Sequence, residues 1–285
     1  MPETLSAQLR AVAQQLADAG VNDPQVDAEL LAGHVLGLSR GGVQAATLRG
    51  DAIAETDAER LTALAQRRAG REPLQHLTGT APFRHLELAV GPGVFVPRPE
   101  TEQVVQFAID ALIGMPDPEP IGIDLGTGSG AIAMAMATEV PHAKIYAVEL
   151  SDDAYPWAAR NTAAAANLTL AHGDLSTAFE ELRGTVAVVI SNPPYVPDDA
   201  IPRDPEVRLF DPAQALYGGP DGLDVVRVIS RRALELLRPG GVLVLEHGEL
   251  QGEAIRGILG ADGWRGAATH QDLTRRDRAT TALRS

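Results

Sequence analysis

The chain is predicted to fold as an α/β protein, an open Rossmann-like sheet of mostly parallel strands with helices on both faces and a small helical domain ahead of it. Three features carry that expectation. From about residue 120 onward, apolar runs of strand length alternate with helix-length segments, the rhythm of parallel β-α units. The first of those runs leads into Gly126-Thr127-Gly128-Ser129-Gly130, a glycine turn that opens a helix. Residues 1 to about 75, by contrast, show helical periodicity and few strand signals.

The elements follow in order. Leu5, Leu9, Val12 and Leu16 recur at three- and four-residue spacing and share one helical face. Asp23-Pro24 opens a second helix, with proline in its first turn, carrying Val26, Leu30, Leu31, Val35 and Leu36. A third helix is expected from about Asp57 through Leu61 and Leu64 to Arg68. Together these define an N-terminal helical domain over residues 1–80, whose ten acidic residues and seven arginines leave a net charge of −3. Residues 81–98 read as a hairpin-like connector: Phe83, Leu86, Leu88 and Val90 precede Gly91-Pro92-Gly93 and Val94-Phe95-Val96.

The larger domain takes residues 99–285. Pro97-Arg98-Pro99-Glu100-Thr101-Glu102 leads a helix to about Ile113, and the Pro-rich stretch 115–120 is a loop. Strands are predicted at 120–125, 143–149, 168–172, 186–191 and 241–246. Helices are predicted at 130–138, 152–165, 222–237 and 250–259, with a final strand pair within 264–284. The run Ala163–Ala166 reads as ordinary helix.

Composition narrows the chemistry. No apolar run approaches the roughly 20 residues of a membrane span. The first residues lack the charged start and apolar centre of a signal peptide, so a cytoplasmic protein is expected. With no cysteine, the chain has no disulfide, thiolate metal site or cysteine nucleophile. A net charge of −14 opposes stable binding to DNA or RNA, which needs a basic face. No histidine pair has metal-ligand spacing, so no metal site is expected.

Two motifs carry the candidate chemistry. In Ile123-Asp124-Leu125-Gly126, the turn that follows lets a ligand approach the backbone. Glu149 ends the next predicted strand, 23 residues after Gly126, where a carboxylate can accept from both hydroxyls of a ribose. Gly126, Gly128 and Ala131 also satisfy a relaxed dinucleotide fingerprint, and a glycine turn can pack helix on sheet with no ligand at all. Asp124 is placed to hold the loop or a cationic ligand. Asp174, ending the third strand, is placed either to accept from an adenine amino group or simply to form a turn after Gly173. Three carboxylates at successive strand ends suit a sulfonium and an ammonium better than a pyrophosphate, which favours S-adenosyl-L-methionine over a nicotinamide cofactor.

The second motif, Ser191-Asn192-Pro193-Pro194-Tyr195, follows an apolar strand, at the end where open α/β sheets bind ligands. An amide nitrogen is a poor nucleophile because its lone pair is delocalised into the carbonyl. Two acceptors gripping its two N–H bonds orient it and favour the polarised form that develops as a methyl transfers. The Asn192 side-chain oxygen and the Pro193 carbonyl are the expected pair. Pro193 and Pro194 hold the segment rigidly, and Tyr195 packs against a flat acceptor group. The same logic fits an exocyclic amine of a nucleic-acid base, and a Pro-Pro turn can also end a strand with no catalytic role.

Asn192-Pro193-Pro194-Tyr195 after the 124–130 segment resembles the N5-glutamine methyltransferases of the HemK/PrmC type. The resemblance extends to Pro73–Gly79, Val94–Glu102, Glu206–Pro212, Ala215–Asp224 and Leu245–Gly248. It implies a class I methyltransferase sheet behind a helical substrate-docking domain, S-adenosyl-L-methionine as cofactor, and class 1 peptide chain release factors as partners, methylated on the glutamine of a Gly-Gly-Gln loop. Carried over, Gly126, Thr127, Gly128, Ser129, Gly130 and Glu149 would bind the cofactor and Asn192 to Tyr195 the glutamine. Glu149 stands where the family often has Asp, and Leu175 where some members have an aromatic residue near the adenine.

Other residues are placed less specifically. Arg98, Glu100 and Glu102 either line the cavity or serve the start of a helix. His247 is expected as a buried histidine rather than a base, His76 and His85 as connector residues, and Asp277–Thr280 as part of a closing hairpin. A nucleic-acid amino methyltransferase, a dehydrogenase and a non-catalytic adaptor are the rival readings.

Overall fold

The computed structural model describes residues 4–285 and falls into two compact units. The first comprises residues up to Thr80 together with Pro202–Phe210. Its helices are α1 (Leu5–Asp18), α2 (Pro24–Leu36), α3 (Arg40–Arg49), α4 (Glu55–Ala69) and α5 (Leu74–Thr78). Thr4 caps α1 by accepting from the Ala7 amide, and Ser39 caps α3 by accepting from Gly42. The stripe Leu5, Leu9, Val12 and Leu16 is buried against Leu31, Ala32, Val43 and Leu61.

Two of these helices lie outside the three predicted. Helix α3 is absent from the sequence reading because Gly41-Gly42 depresses helix propensity and only Val43 and Ala46 are buried on it. Helix α5 is a single turn after Pro73.

The Pro202–Phe210 segment joins this unit through buried charge. Arg68 reaches Asp27 at 2.7 Å and Glu206 at 2.7 Å, and Arg71 reaches the other Glu206 oxygen at 2.6 Å. Burial acts to raise the Glu206 carboxyl, but hydrogen bonds involving Asp204, Arg71 and Arg68 outweigh it and hold the group below the usual glutamate range. Glu206→Ala should therefore cost about 1.5–3 kcal/mol, because it leaves the buried Arg68 with Asp27 as its remaining carboxylate and takes the carboxylate from the half-buried Arg71. A urea melt checks this. A depressed folded value also means that the stabilisation is complete above the ordinary value of about 4.3 and is lost as pH falls below it.

The second unit comprises Ala81–Ile201 and Asp211–Ser285. Strands β1 (Thr80–Phe83) and β2 (Leu86–Ala89) form a hairpin whose turn uses Arg84 at φ +53°. The hairpin is shorter than the sequence pattern implies: Val90, Val94 and Val96 pack in a small cluster but belong to no strand. Then come α6 (Pro99–Gly114), β3 (Ile121–Leu125), α7 (Ala131–Glu139), β4 (Lys144–Glu149), α8 (Tyr155–Thr162), β5 (Leu168–His172) and β6 (Val186–Ser191). After the short helices α9 (Pro205–Phe210, in the first unit) and α10 (Ala213–Leu216) follow α11 (Asp224–Leu236), β7 (Leu237–Glu246), α12 (Gly252–Ala261), β8 (Arg265–Gln271) and β9 (Asp277–Leu283).

The seven strands β3–β9 are ordered β5-β4-β3-β6-β7-β9-β8, with β9 antiparallel to β7 and to β8. Strand β6 is buried along its whole length, which is why Val186–Ile190 reads as an unbroken apolar run. Helix α8 starts three residues later than predicted because Pro156 sets its first turn, and Ala163–Ala166 is a turn rather than the predicted helix. Strand β7 begins at Leu237 instead of 241, since Leu237 pairs with Val186 across an irregular register. Strand order reverses between β4-β3 and β6-β7. That crevice is the topological switch point of the sheet, where such folds bind ligands.

Candidate active site

Both motifs lie at the switch point. Asp124 is paired in register with Ile190, so the turn after β3 and the Asn-Pro segment after β6 leave adjacent strands at the same level. Gly126, Gly128 and Gly130 all have positive φ, at +79°, +59° and +85°, which a side chain adopts only under strain. The amides of Gly126 and Thr127 donate to the Val148 carbonyl, which pins the turn to β4. A Cβ built on Gly128 would meet nothing within 4 Å, so the space beside the backbone is open at this point of the turn. Leu175 lies over Gly126, its Cδ2 4.0 Å from where a Cβ would stand.

The carboxylates take distinct places. Asp124 is fully buried under the turn and accepts from Thr127 Oγ1 at 2.5 Å, so it holds the loop. Its Oδ1 has no hydrogen-bond partner, and burial pushes the group up to about 7 against the pull of the Thr127 hydroxyl and the Ala133 amide. A cationic ligand end would restore its charge. Glu149 is buried and accepts from the Gly128 amide at 2.7 Å and the Ser151 amide at 2.8 Å, one on each oxygen. Each oxygen keeps lone-pair capacity for a hydroxyl. Asp174 is exposed and turn-forming: it accepts from the Ser176 amide at 2.7 Å, and its bonds to Ser176 hold the carboxyl below the usual range.

This donor set fits S-adenosyl-L-methionine. An open glycine cradle, an underbonded buried carboxylate and a second carboxylate at the next strand end match a ligand with a positive amino acid end and a ribose. Nothing in the set offers the basic side chains a pyrophosphate attracts. Glu149→Ala should weaken binding of the methyl donor by roughly 1.5–3 kcal/mol through lost charge-assisted hydrogen bonds. Unchanged affinity by calorimetry would exclude it from the site.

On the acceptor side, Ser191 Oγ donates to the Leu125 carbonyl at 2.5 Å and ties β6 to β3. Asn192 is half-buried, with Nδ2 donating to Thr101 Oγ1 at a long 3.4 Å. Among the described residues, no hydrogen bond uses Asn192 Oδ1 or the Pro193 carbonyl, which leaves both acceptors available. Pro193 is buried and Pro194 half-buried. The Tyr195 phenol is pushed up to about 12, mainly by burial and then by the field of Glu246, so it stays protonated. Its backbone carbonyl accepts from Gln251 Nε2 at 2.8 Å, and the Gln251 Oε1 accepts from the Gly248 amide at 2.9 Å.

The remaining candidates sort as follows. Arg98 bonds Asp211 at 2.8 Å and lies 5.1 Å over the Phe95 ring, at the start of α6. Glu100 and Glu102 occupy the first turn of α6, Glu100 exposed. His247 is fully buried between the Gly248 carbonyl at 2.8 Å and Thr280 Oγ1 at 2.9 Å, and burial lowers its pKa, so it is a neutral structural residue. His76 is buried on α5, and His85 sits exposed in the β1–β2 turn. Among the described residues, no cluster of histidines and acids could hold a metal ion, and no helix is long and apolar enough to cross a membrane.

Three neighbours of the acceptor motif lie in stretches that resemble the family but received no site role from the sequence: Thr101, Glu246 and the glycine loop at 218–222. A Cβ on Gly218 would stand 2.4 Å from the Pro194 carbonyl oxygen, and one on Gly222 2.2 Å from that of Tyr195. In the sequence that loop is marked by its density of glycine and by the family resemblance over Ala215–Asp224.

The sheet order with an antiparallel strand at one side, the glycine turn and the adjacent acceptor motif define a class I S-adenosylmethionine-dependent methyltransferase. Comparison with known proteins narrows the class. The PrmC N-terminal domain family matches residues 7–79 and the methyltransferase small domain family residues 111–222. The release factor glutamine methyltransferase of Streptomyces coelicolor is 49% identical, over 99% of this chain and 98% of its own length. A relative in Streptomyces pristinaespiralis, 36% identical over 99% of this chain and 96% of its own, is a 4-amino-L-phenylalanine/4-methylamino-L-phenylalanine methyltransferase. A methyltransferase structure from Pyrococcus furiosus shares the fold, with a TM-score of 0.50, 18% identity, and coverage of 71% of this chain and 90% of that one. The chain belongs to the release factor glutamine methyltransferase family.

Proposed function

We infer that this chain transfers a methyl group from S-adenosyl-L-methionine to the side-chain amide nitrogen, N5, of a glutamine in peptide chain release factors, specifically that of the Gly-Gly-Gln motif of class 1 factors. The observation that carries the reading is the pair of unused acceptors, Asn192 Oδ1 and the Pro193 carbonyl, level with an open glycine turn on the neighbouring strand. Gly126, Thr127, Gly128, Ser129, Gly130, Glu149, Asp174 and Leu175 would hold the cofactor, with Asp124 beneath the turn near its charged end. When bound, the cofactor supplies an electrophilic methyl on a sulfonium.

The chain's own part is binding and alignment. Asn192 and Pro193 take the two N–H bonds of the glutamine amide and favour its polarised form. The rigid Pro193-Pro194 backbone keeps both oxygens in place, and Tyr195 supports the flat amide. Tyr195 stays protonated and His247 is enclosed by its own bonds, so neither is a base. None is required, because the nitrogen becomes far more acidic as it bonds carbon and alignment supplies most of the rate.

The test is incubation with labelled donor and purified release factor, tRNA, DNA and 4-amino-L-phenylalanine in parallel, followed by mapping of the label. The expected site is the glutamine of Gly-Gly-Gln. Label on nucleic acid or on the free amine, with none on the factor, would replace this reading by the other. The net charge of −14 supports a protein acceptor without stable nucleic-acid binding, and a release-factor acceptor would place the action in the cytoplasm.

The proposed domain roles are substrate docking for residues 1–80, connection for 81–98 and catalysis for 99–285. Removing residues 1–75 should impair methylation of intact release factor more than donor affinity. Equal rates with and without that region would defeat the docking role.

A further inference from the structure

We propose that Thr101 and Glu246 form a buried relay that decides which end of the Asn192 amide faces the acceptor, which makes both of them positioning residues for methyl transfer. The proposal rests on the role given to Asn192 above and adds how its side chain is aimed. Thr101 lies in the first turn of α6 and Glu246 ends β7, and both are buried, at 4% and 2% exposure. Ser191 is paired with Leu245, so Asn192 and Glu246 leave adjacent strands side by side. Asn192 Nδ2 donates to Thr101 Oγ1 at 3.4 Å. Thr101 also acts on the buried Glu246 carboxyl, holding it down against burial as a hydroxyl donor to it would. The second Glu246 oxygen, Oε2, has no partner.

The direction of the relay follows from what each group can give. An ionised carboxylate only accepts, so Thr101 must donate its single O–H to Glu246. Its oxygen is then left to accept, and the Asn192 group that can donate to it is the NH2. Nδ2 is thereby committed to the buried side and Oδ1 to the acceptor. The two ends of a carboxamide are nearly the same size, so packing alone does not distinguish them. With the amide reversed, an NH2 would face the N–H bonds of the substrate.

The relay depends on protonation of Glu246. Burial pushes this carboxyl up to about 7, opposed by Thr101 and Arg278 and reinforced by Glu100. The charged and titratable groups around it are Glu100 on α6, Arg278 on β9, Tyr195 after β6 and His247 next in the chain. Arg278 is raised and stays charged, Tyr195 stays protonated, and His247 is lowered and stays neutral. Protonated Glu246 can donate to Thr101, whose hydroxyl then donates in turn and selects the reversed Asn192. Turnover should therefore fall as pH drops below about 7.

The experiment measures kcat against pH and donor Kd for wild type, Thr101→Val, Thr101→Ser and Glu246→Gln, each on the acceptor the wild type methylates. Thr101→Val should lose 10–100-fold in kcat, the usual cost of removing a group that orients a reacting side chain, on the order seen for outer-shell partners. Its donor Kd should stay near wild type, and Thr101→Ser, which keeps the hydroxyl, should recover most of the loss. Glu246→Gln retains an acceptor oxygen but cannot titrate, so its profile should lose the acidic fall. Should Thr101→Val not fold, the serine variant and the Glu246→Gln profile decide. Wild-type kcat in Thr101→Val, equal impairment in Thr101→Ser, or an acidic fall that persists in Glu246→Gln would each overturn the relay. Mapping the label in wild type judges the acceptor assignment separately.

Discussion

Replacing Asn192 by alanine should lower turnover on the order of 10²–10³ while leaving donor affinity nearly intact, the cost of removing one oriented polar group from a developing charge. Alanine keeps the backbone, and Pro193 and Pro194 keep its course, so the second acceptor survives. What disappears is the one side-chain oxygen available to grip an N–H of the glutamine. Donor affinity should hold because the glycine turn, Asp124 and Glu149 reach their partners without Asn192. The check is single-turnover kinetics beside calorimetry: near-normal turnover would remove Asn192 from the chemistry.

Gly222→Ala should be nearly as damaging although residue 222 carries no functional group. Its φ is +74°, and an added Cβ would stand 2.2 Å from the Tyr195 carbonyl oxygen and 2.8 Å from Gln251 Nε2. The left-handed backbone alone costs about 1–2 kcal/mol. The larger effect is displacement, because the Cβ strikes main chain that carries the acceptor motif and the Gln251 amide that braces it. A shift of about 1 Å in such a segment can cost 10²-fold in rate. Thermal melts paired with kcat should show a modest drop in stability with a large drop in turnover. Full activity would mean that the 218–222 loop does not brace the acceptor motif.

Most of the sheet was legible because its central strands are buried on both faces, so Val186–Ile190 and Ile121–Leu125 read as short apolar runs between turns. Motif order then placed the glycine turn and the Asn-Pro segment at neighbouring strand ends. What stayed hidden depends on partners far away in sequence. Nothing local marks Pro202–Phe210 as belonging with the helical unit, since that membership comes from Arg68 and Arg71 gripping Glu206. Thr101 reads as a helix first-turn residue and Glu246 as a strand terminus until the fold sets them beside Asn192. Asp124 and Asp174 show a different limit. Sequence spacing found both carboxylates, but only the structure shows one bound to Thr127 beneath the loop and the other engaged in its own turn.

The most direct measurement is a crystal structure with S-adenosylhomocysteine and a peptide containing Gly-Gly-Gln. The expected result is the glutamine nitrogen within hydrogen-bond distance of both Asn192 Oδ1 and the Pro193 carbonyl, on the side facing the sulfur. Asn192 turned away from that nitrogen, with the peptide held elsewhere on the sheet, would contradict the assignment.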